Sequence, residues 1–159
     1  MKILNIYIYY IMKTLNNFDI INLCKEYDIP LNGIYRRNEI NIGLPEYLSV
    51  INSAIGNNNS GHWFAYIYND KKKIVYYIDS YGVEPFQEII DLFKGYKILY
   101  NKIQIQSHDS NICGWVVILY ALYYFNYTNK KKAIIHFYSL FTPNYKNNEK
   151  IIDNIFNEL

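Results

Sequence analysis

Residues 113–124 read Cys-Gly-Trp-Val-Val-Ile-Leu-Tyr-Ala-Leu-Tyr-Tyr. Almost every one is apolar or aromatic. A run of more than ten such residues is long for a strand, and it leaves no polar side for water. It therefore predicts a helix buried on all sides. A helix of that kind needs other elements around it, and the flanking sequence supplies candidates. Upstream, His62–Tyr68 (HWFAYIY) and Lys73–Ile78 (KIVYYI) read as two strands, joined by Asn69-Asp70-Lys71-Lys72, which has hairpin-turn chemistry. Tyr96 to Gln106 reads as mostly strand, interrupted near Asn101. Pro85 opens a short helix with Phe86, Ile89, Ile90 and Phe93 on its buried face, and Gly95 ends it.

Toward the amino terminus, Leu15, Phe18, Ile20, Ile21 and Leu23 fall at helical spacing, so Thr14 to Tyr27 is expected to be a helix. Pro30 and Gly33 end it, and Ile34–Tyr35 begins an irregular stretch. Pro45 to Ala54 reads as a second short helix with Tyr47, Leu48, Ile51 and Ile55 on one side. Gly56 to Gly61 is a loop. After the buried helix, Ala133–Leu140 and Lys150–Leu159 show amphipathic helical spacing. The expected fold class is α+β, with a central mixed or antiparallel sheet and one buried helix.

At 159 residues the chain fits one domain, 1–159, and it is long enough to bury about 70% of its unfolded surface without a disulfide or metal staple. With 51% hydrophobic and 19% charged residues, it is neither disordered nor low in complexity. Tyr occurs 19 times, and Asn, Ile and Lys are abundant, while Arg occurs only as Arg36 and Arg37. Such usage is what an AT-rich genome would produce, so the runs Lys71–Lys73 and Lys130–Lys132 read as solvated turns or helix ends. A net charge of +2 gives nucleic-acid binding weak support. Cys24 and Cys113 show no disulfide or zinc spacing, which suits a reducing intracellular compartment and no metal. The apolar run Ile3–Met12 is too short for a membrane helix and lacks a small-residue cleavage site. Two readings of it remain: an added strand, or sequence upstream of a start at Met12, with residues 1–11 as an extension. No membrane association is expected.

Reactive residue types stand where the elements change. His62 opens a strand and precedes Trp63. Asp79 ends the next strand, before Ser80-Tyr81-Gly82. Gln106 ends a later one, and Cys113 stands where a polar loop meets the buried helix. Singly, each has an ordinary structural reading: strand residue, turn former, solvated amide, core thiol. Together they form a nucleophilic set. A helix N-terminus favours a thiolate at Cys113. His62 can serve as its base. Asp79 can orient the imidazole from the adjacent hairpin strand. The Gln106 amide and the Cys113 backbone N–H can stabilise an oxyanion, with Gly114 easing the approach of substrate backbone. His108, five residues before Cys113, His136 in a late helix, and Cys24 are weaker candidates.

The segments Gly61-His-Trp63, Ile78-Asp-Ser-Tyr-Gly82 and Gln106-Ser-His-Asp-Ser-Asn-Ile-Cys-Gly114 resemble those of the adenovirus protease (adenain) family, whose clan includes the SUMO-specific proteases. The order His, acid, Gln, Cys is that clan's. The steps of seventeen residues from His62 to Asp79 and seven from Gln106 to Cys113 are similar too. Gly33-Ile34-Tyr35 and Val50–Ala54 extend the likeness over about Leu31 to Phe125. The resemblance implies a papain-like fold and a cysteine endopeptidase in which Cys113 is nucleophile, His62 general base and acid, Asp79 its orienter and Gln106 an oxyanion donor. Trp63 would shield the His–Asp pair, and Gly61, Trp63 and Gly114 would border the substrate.

It further implies a monomeric viral maturation protease acting on capsid or core precursors near Gly, inside the host cell (the viral factory) and in the virion. The family uses Glu where this chain has Asp79, whereas the SUMO-specific relatives use Asp. The family's activating peptide joins it by a disulfide. Because there is no Cys between Ile89 and Ile105, a non-covalent peptide is the form left open, beside DNA as a second cofactor. A peptidase for SUMO, ubiquitin or a similar modifier, and a non-catalytic binding protein on the same fold, are the alternatives.

Overall fold

The computed structural model describes residues 13–54 and 61–159. The readings of the apolar run 3–12 and of most of the 56–61 loop lie outside the described residues. The described chain is α+β, with five α-helices and a five-stranded mixed sheet. In chain order the elements are α1 (Asn17–Glu26), β1 (Leu31–Arg36), a 3-10 turn (Arg37–Glu39), β2 (Leu48–Asn52), β3 (Trp63–Asn69), β4 (Ile74–Asp79), α2 (Gln87–Leu92), β5 (Lys97–Leu99), α3 (Cys113–Asn126), α4 (Lys130–Ser139) and α5 (Tyr145–Glu158). The strands lie in sequence order. β2, β3 and β4 are antiparallel, and the edge strands β1 and β5 run parallel to their neighbours.

The helix expected from residues 113–124 is α3. Ten of its fourteen residues are buried. The alternation of β3 splits the core into two layers around the sheet. Trp63, Ala65 and Ile67 pack with α3, whereas Phe64, Tyr66 and Tyr68 face the layer that holds Ile89 and Phe93 of the α2 segment. β3 is thus buried on both faces, which explains its unbroken apolar sequence. The 69–73 turn and the start of α4 carry the two Lys triplets, exposed except for the half-buried Lys130.

Several expectations are corrected. Pro45–Ala54 is not a helix; it contains β2. Its apolar residues fit a helical face, but Leu48 and Val50 pack on the α3 side and Ile51 on the other, so the true period is two. Glu46 has a φ of 60°, which stops a helix from continuing, and the β-branched pair Val50-Ile51 suits a strand with neighbours on both sides. The stretch beginning at Ile34–Tyr35 is the edge strand β1 rather than irregular.

In α1, Ile20 and Cys24 face inward, while Phe18 is 77% exposed. Asn16 and Asp19 form a capping box that fixes the helix start. In α2, Ile90 sits one residue off the Phe86–Ile89–Phe93 line and is exposed. The strand expected over Tyr96–Gln106 is confined to Lys97–Leu99, the three residues that pair with the first half of β4. Beyond it, Asn101 Oδ1 accepts from Ile103 N at 2.8 Å and turns the chain away.

The all-round burial of α3 makes a testable contrast. Ile118 is fully buried in α3, and Ile135 is 66% exposed on α4. Ile118→Ala is expected to cost about 2–5 kcal/mol of unfolding free energy. Ile135→Ala should stay within about 0.5 kcal/mol of the parent. Urea unfolding of both variants measures the difference.

Candidate active site

The β3–β4 hairpin brings His62 and Asp79 together at its open end. His62 immediately precedes β3, and Asp79 is the last residue of β4, paired across the ladder with Phe64. His62 is therefore the diagonal neighbour of Asp79. Two bonds at the end of β2 hold the His62 backbone: His62 N donates to Ser53 Oγ at 2.9 Å, and Ser53 N donates to His62 O at 2.9 Å. With the backbone fixed on both sides, the imidazole Nε2 meets Asp79 Oδ1 at 2.7 Å. The same carboxylate oxygen accepts from Tyr81 N at 2.9 Å. The Asp79 side chain is 2% exposed and that of His62 13%, so water competes little for this contact.

The second ring nitrogen, Nδ1, is buried without a hydrogen-bond partner. Cys113, the first residue of α3, is the neighbouring thiol whose proximity helps to raise the pKa of the ring. The thiol is thus beside the imidazole without forming an aligned hydrogen bond, a geometry common in substrate-free nucleophile–base pairs. Burial alone pushes His62 down. The Asp79 carboxylate and Cys113 more than offset that, and the pKa is raised to about 9. Cys24, by contrast, is buried away from any such partner, and burial pushes its thiol up to about 11.

The start of α3 differs from those of the other long helices. Asn16, Asn129 and Asn144 cap α1, α4 and α5 with side-chain oxygens. Ile112 precedes α3 and supplies no such cap. The first N–H groups of α3, that of Cys113 among them, have no intrahelical acceptor and remain donors for an anion.

Gln106 lies fully buried after β5. Its Oε1 accepts from Ser80 Oγ at 2.6 Å, and its Nε2 donates to Ser110 O at 2.9 Å. The Ser110 carbonyl, which can only accept, fixes which end of the amide is nitrogen, and the Tyr81 side chain is a further hydrogen-bonding neighbour of that amide. The preceding residue is clamped as well: Ile105 N donates to Ser80 O at 2.8 Å, and Asn148 Nδ2 donates to Ile105 O at 3.0 Å.

Trp63 is buried in the α3 layer, and its indole N–H donates to Leu15 O at 2.8 Å. The ring that stacks on His62 is Tyr81, with centroids 4.1 Å apart and planes 20° apart. His108 packs against the far side of the arrangement, on Tyr81, and not on the thiol. Gly114 is crowded by Leu15, whose side chain would lie 3.0 Å from an added Cβ, so its smallness serves this packing. At Gly61 an added Cβ would lie 1.8 Å from Asn52 Oδ1. His136 is exposed on α4 beside Tyr127.

Sequence reasoning assigned no role to Ser80 or Tyr81. Both stand in the quoted Ile78–Gly82 segment, directly after the acid, and that adjacency is the signal for them. Among the described residues, no group of three His, Cys, Asp or Glu side chains could hold a metal ion, and no helix is long and apolar enough to cross a membrane. No protein-family model matches the chain, and no curated protein matches it.

The raised His62 pKa gives a pH signature of folding. An unfolded histidine titrates near 6.5. The stability that comes from holding the imidazolium is fully present below that value and is lost as pH rises through about 9. The urea midpoint should therefore fall between pH 6.5 and 9, and Asp79→Asn should flatten that fall.

Proposed function

We propose that the protein is a cysteine endopeptidase working through Cys113, His62 and Asp79, with Gln106 as oxyanion donor. The observation that carries this reading is the polarised imidazole. Its Nε2 is bonded to a buried carboxylate, and its other nitrogen is left to a thiol at the uncapped start of a buried helix.

In the proposed reaction Cys113 and His62 act as a thiolate–imidazolium pair, His62 being charged below its pKa of about 9, and Sγ attacks the substrate carbonyl carbon. The oxygen, now negative, receives N–H bonds from the α3 N-terminus and from Gln106 Nε2. His62 then protonates the departing amine, and the C–N bond breaks to leave a thioester on Cys113. A water molecule gives its proton to His62 and attacks the thioester, which releases the acid and restores the thiolate–imidazolium pair. Asp79 keeps the imidazole in one orientation and stabilises its charged form throughout. Tyr81 limits the access of water to one face of the ring.

The finer assignment to a papain-like, adenain-like fold belongs to this proposal. So does the role of a maturation protease that cuts capsid or core precursors beside small residues inside an infected cell, aided by a non-covalent peptide or DNA.

The first test is alkylation by iodoacetamide at pH 7, read by mass spectrometry. Cys113 should react ahead of Cys24, and His62→Ala should remove the lead. Equal, slow reaction of both thiols would count against the proposal.

Activity is tested with quenched peptides spanning Gly-containing junctions and with a panel of ubiquitin-like fusions; turnover of the fusions alone would move the substrate to that class. Cys113→Ala should abolish cleavage. Asp79→Asn should lower kcat by about 10²-fold or more, and Gln106→Ala by about 10²–10³-fold.

A further inference from the structure

A groove of about 480 Å³ opens beside His62. Gly61 and Trp63, its two chain neighbours, line it together with Leu15, Tyr35, Arg36 and Asn52. Leu15 is also the residue packed on Gly114, next to the nucleophile. The groove is thus bordered by residues adjacent to both members of the Cys–His pair, and a peptide lying along it would have its next residues beside Cys113.

One feature of the groove wall lacks a partner. Arg36 Nη1 is buried and makes no hydrogen bond. The other arginine has partners: Arg37 Nε donates to Glu88 at 2.8 Å, and its guanidinium lies 4.0 Å over the Phe86 ring. Glu39 is exposed on the same wall, yet among the described residues it forms no ion pair with Arg36. A guanidinium N–H withdrawn from water without an acceptor is costly. The group that fits its planar fork is a carboxylate, which takes two parallel N–H bonds.

Building on the peptidase reading, we propose that Arg36 is a specificity residue. It selects peptides with Asp or Glu at one of the three positions before the residue whose carbonyl is attacked. The acidic side chain enters the groove and bonds the guanidinium from its groove side.

The test uses peptidyl-glycine chloromethyl ketones, Ala-Ala-Ala-Gly-CH₂Cl with Glu or Gln placed in turn at each Ala. Sγ of Cys113 forms a bond to the methylene carbon and chloride leaves, so the rate is read by mass spectrometry without any need for turnover. The Glu probe should outpace the Gln probe about tenfold at one position, the scale of a charge-assisted bond. In Arg36→Gln the ratio should fall to near one, and in Arg36→Glu the preference should shift to a Lys probe.

Equal rates for Glu and Gln at all three positions, with Cys113 still leading Cys24 toward iodoacetamide, would sink the role of Arg36 and leave the peptidase reading standing. So would a Glu preference that survives Arg36→Gln. Loss of the iodoacetamide lead as well would remove both.

Discussion

A helix without a polar side can exist in water only if the rest of the chain encloses it, and α3 imposes that condition on this fold. The sheet covers one side through Trp63, Ala65 and Ile67. Leu15, Ile20 and Cys24 of the α1 segment, Phe137 and Tyr138 of α4, and Ile152 and Phe156 of α5 join the same layer. The enclosure has one chemical consequence. The N-terminus of α3 is buried with its N–H groups unspent, because no side chain caps it. Donors kept out of water at fixed positions act strongly on any charge that develops beside them. Cys113 occupies that point.

The remaining polar groups are delivered by strand ends, which a sheet can hold more firmly than a loop can. β2 fixes the His62 backbone through Ser53, β4 presents Asp79, and the next residue, Ser80, reaches both the backbone and the side chain of the Gln106 segment. One short stretch, Ile78 to Tyr81, therefore orients the imidazole, bonds the Gln106 amide and stacks a ring on the imidazole face. These roles are coupled through shared backbone, so changes there will not act independently.

Much of this arrangement was legible in the sequence, for physical reasons particular to each element. The α3 run is too long and too apolar to be anything but a buried helix. The β3–β4 hairpin has two β-rich runs around a polar turn, and its length brings His62 diagonally beside Asp79. What could not be read depended on neighbours distant in the chain. β2 carries apolar residues on both faces because β1 and β3 flank it, and that pattern imitates a helical stripe when read alone. Ile90 and Phe18 are apolar residues on solvent-facing positions, which composition cannot distinguish from core. The segment from Tyr100 to Gln106 has strand-like residues, but its hydrogen bonds go to Ser80 and Asn148 and not to a ladder. Tyr81 took its place only once the turn after β4 was known.

Asn148 is fully buried in α5, and its amide donates to Ile105 O and to Thr142 O while its oxygen accepts from Thr142 N. The residue next to Gln106 is thus held by a helix that leaves the ribosome well after Cys113. At roughly 5–20 residues per second, the gap amounts to a few seconds of synthesis. During that interval the nascent chain already carries its thiol, imidazole and carboxylate but lacks the anchor behind the Gln106 segment. The order of translation therefore delays completion of this arrangement until α5 has docked.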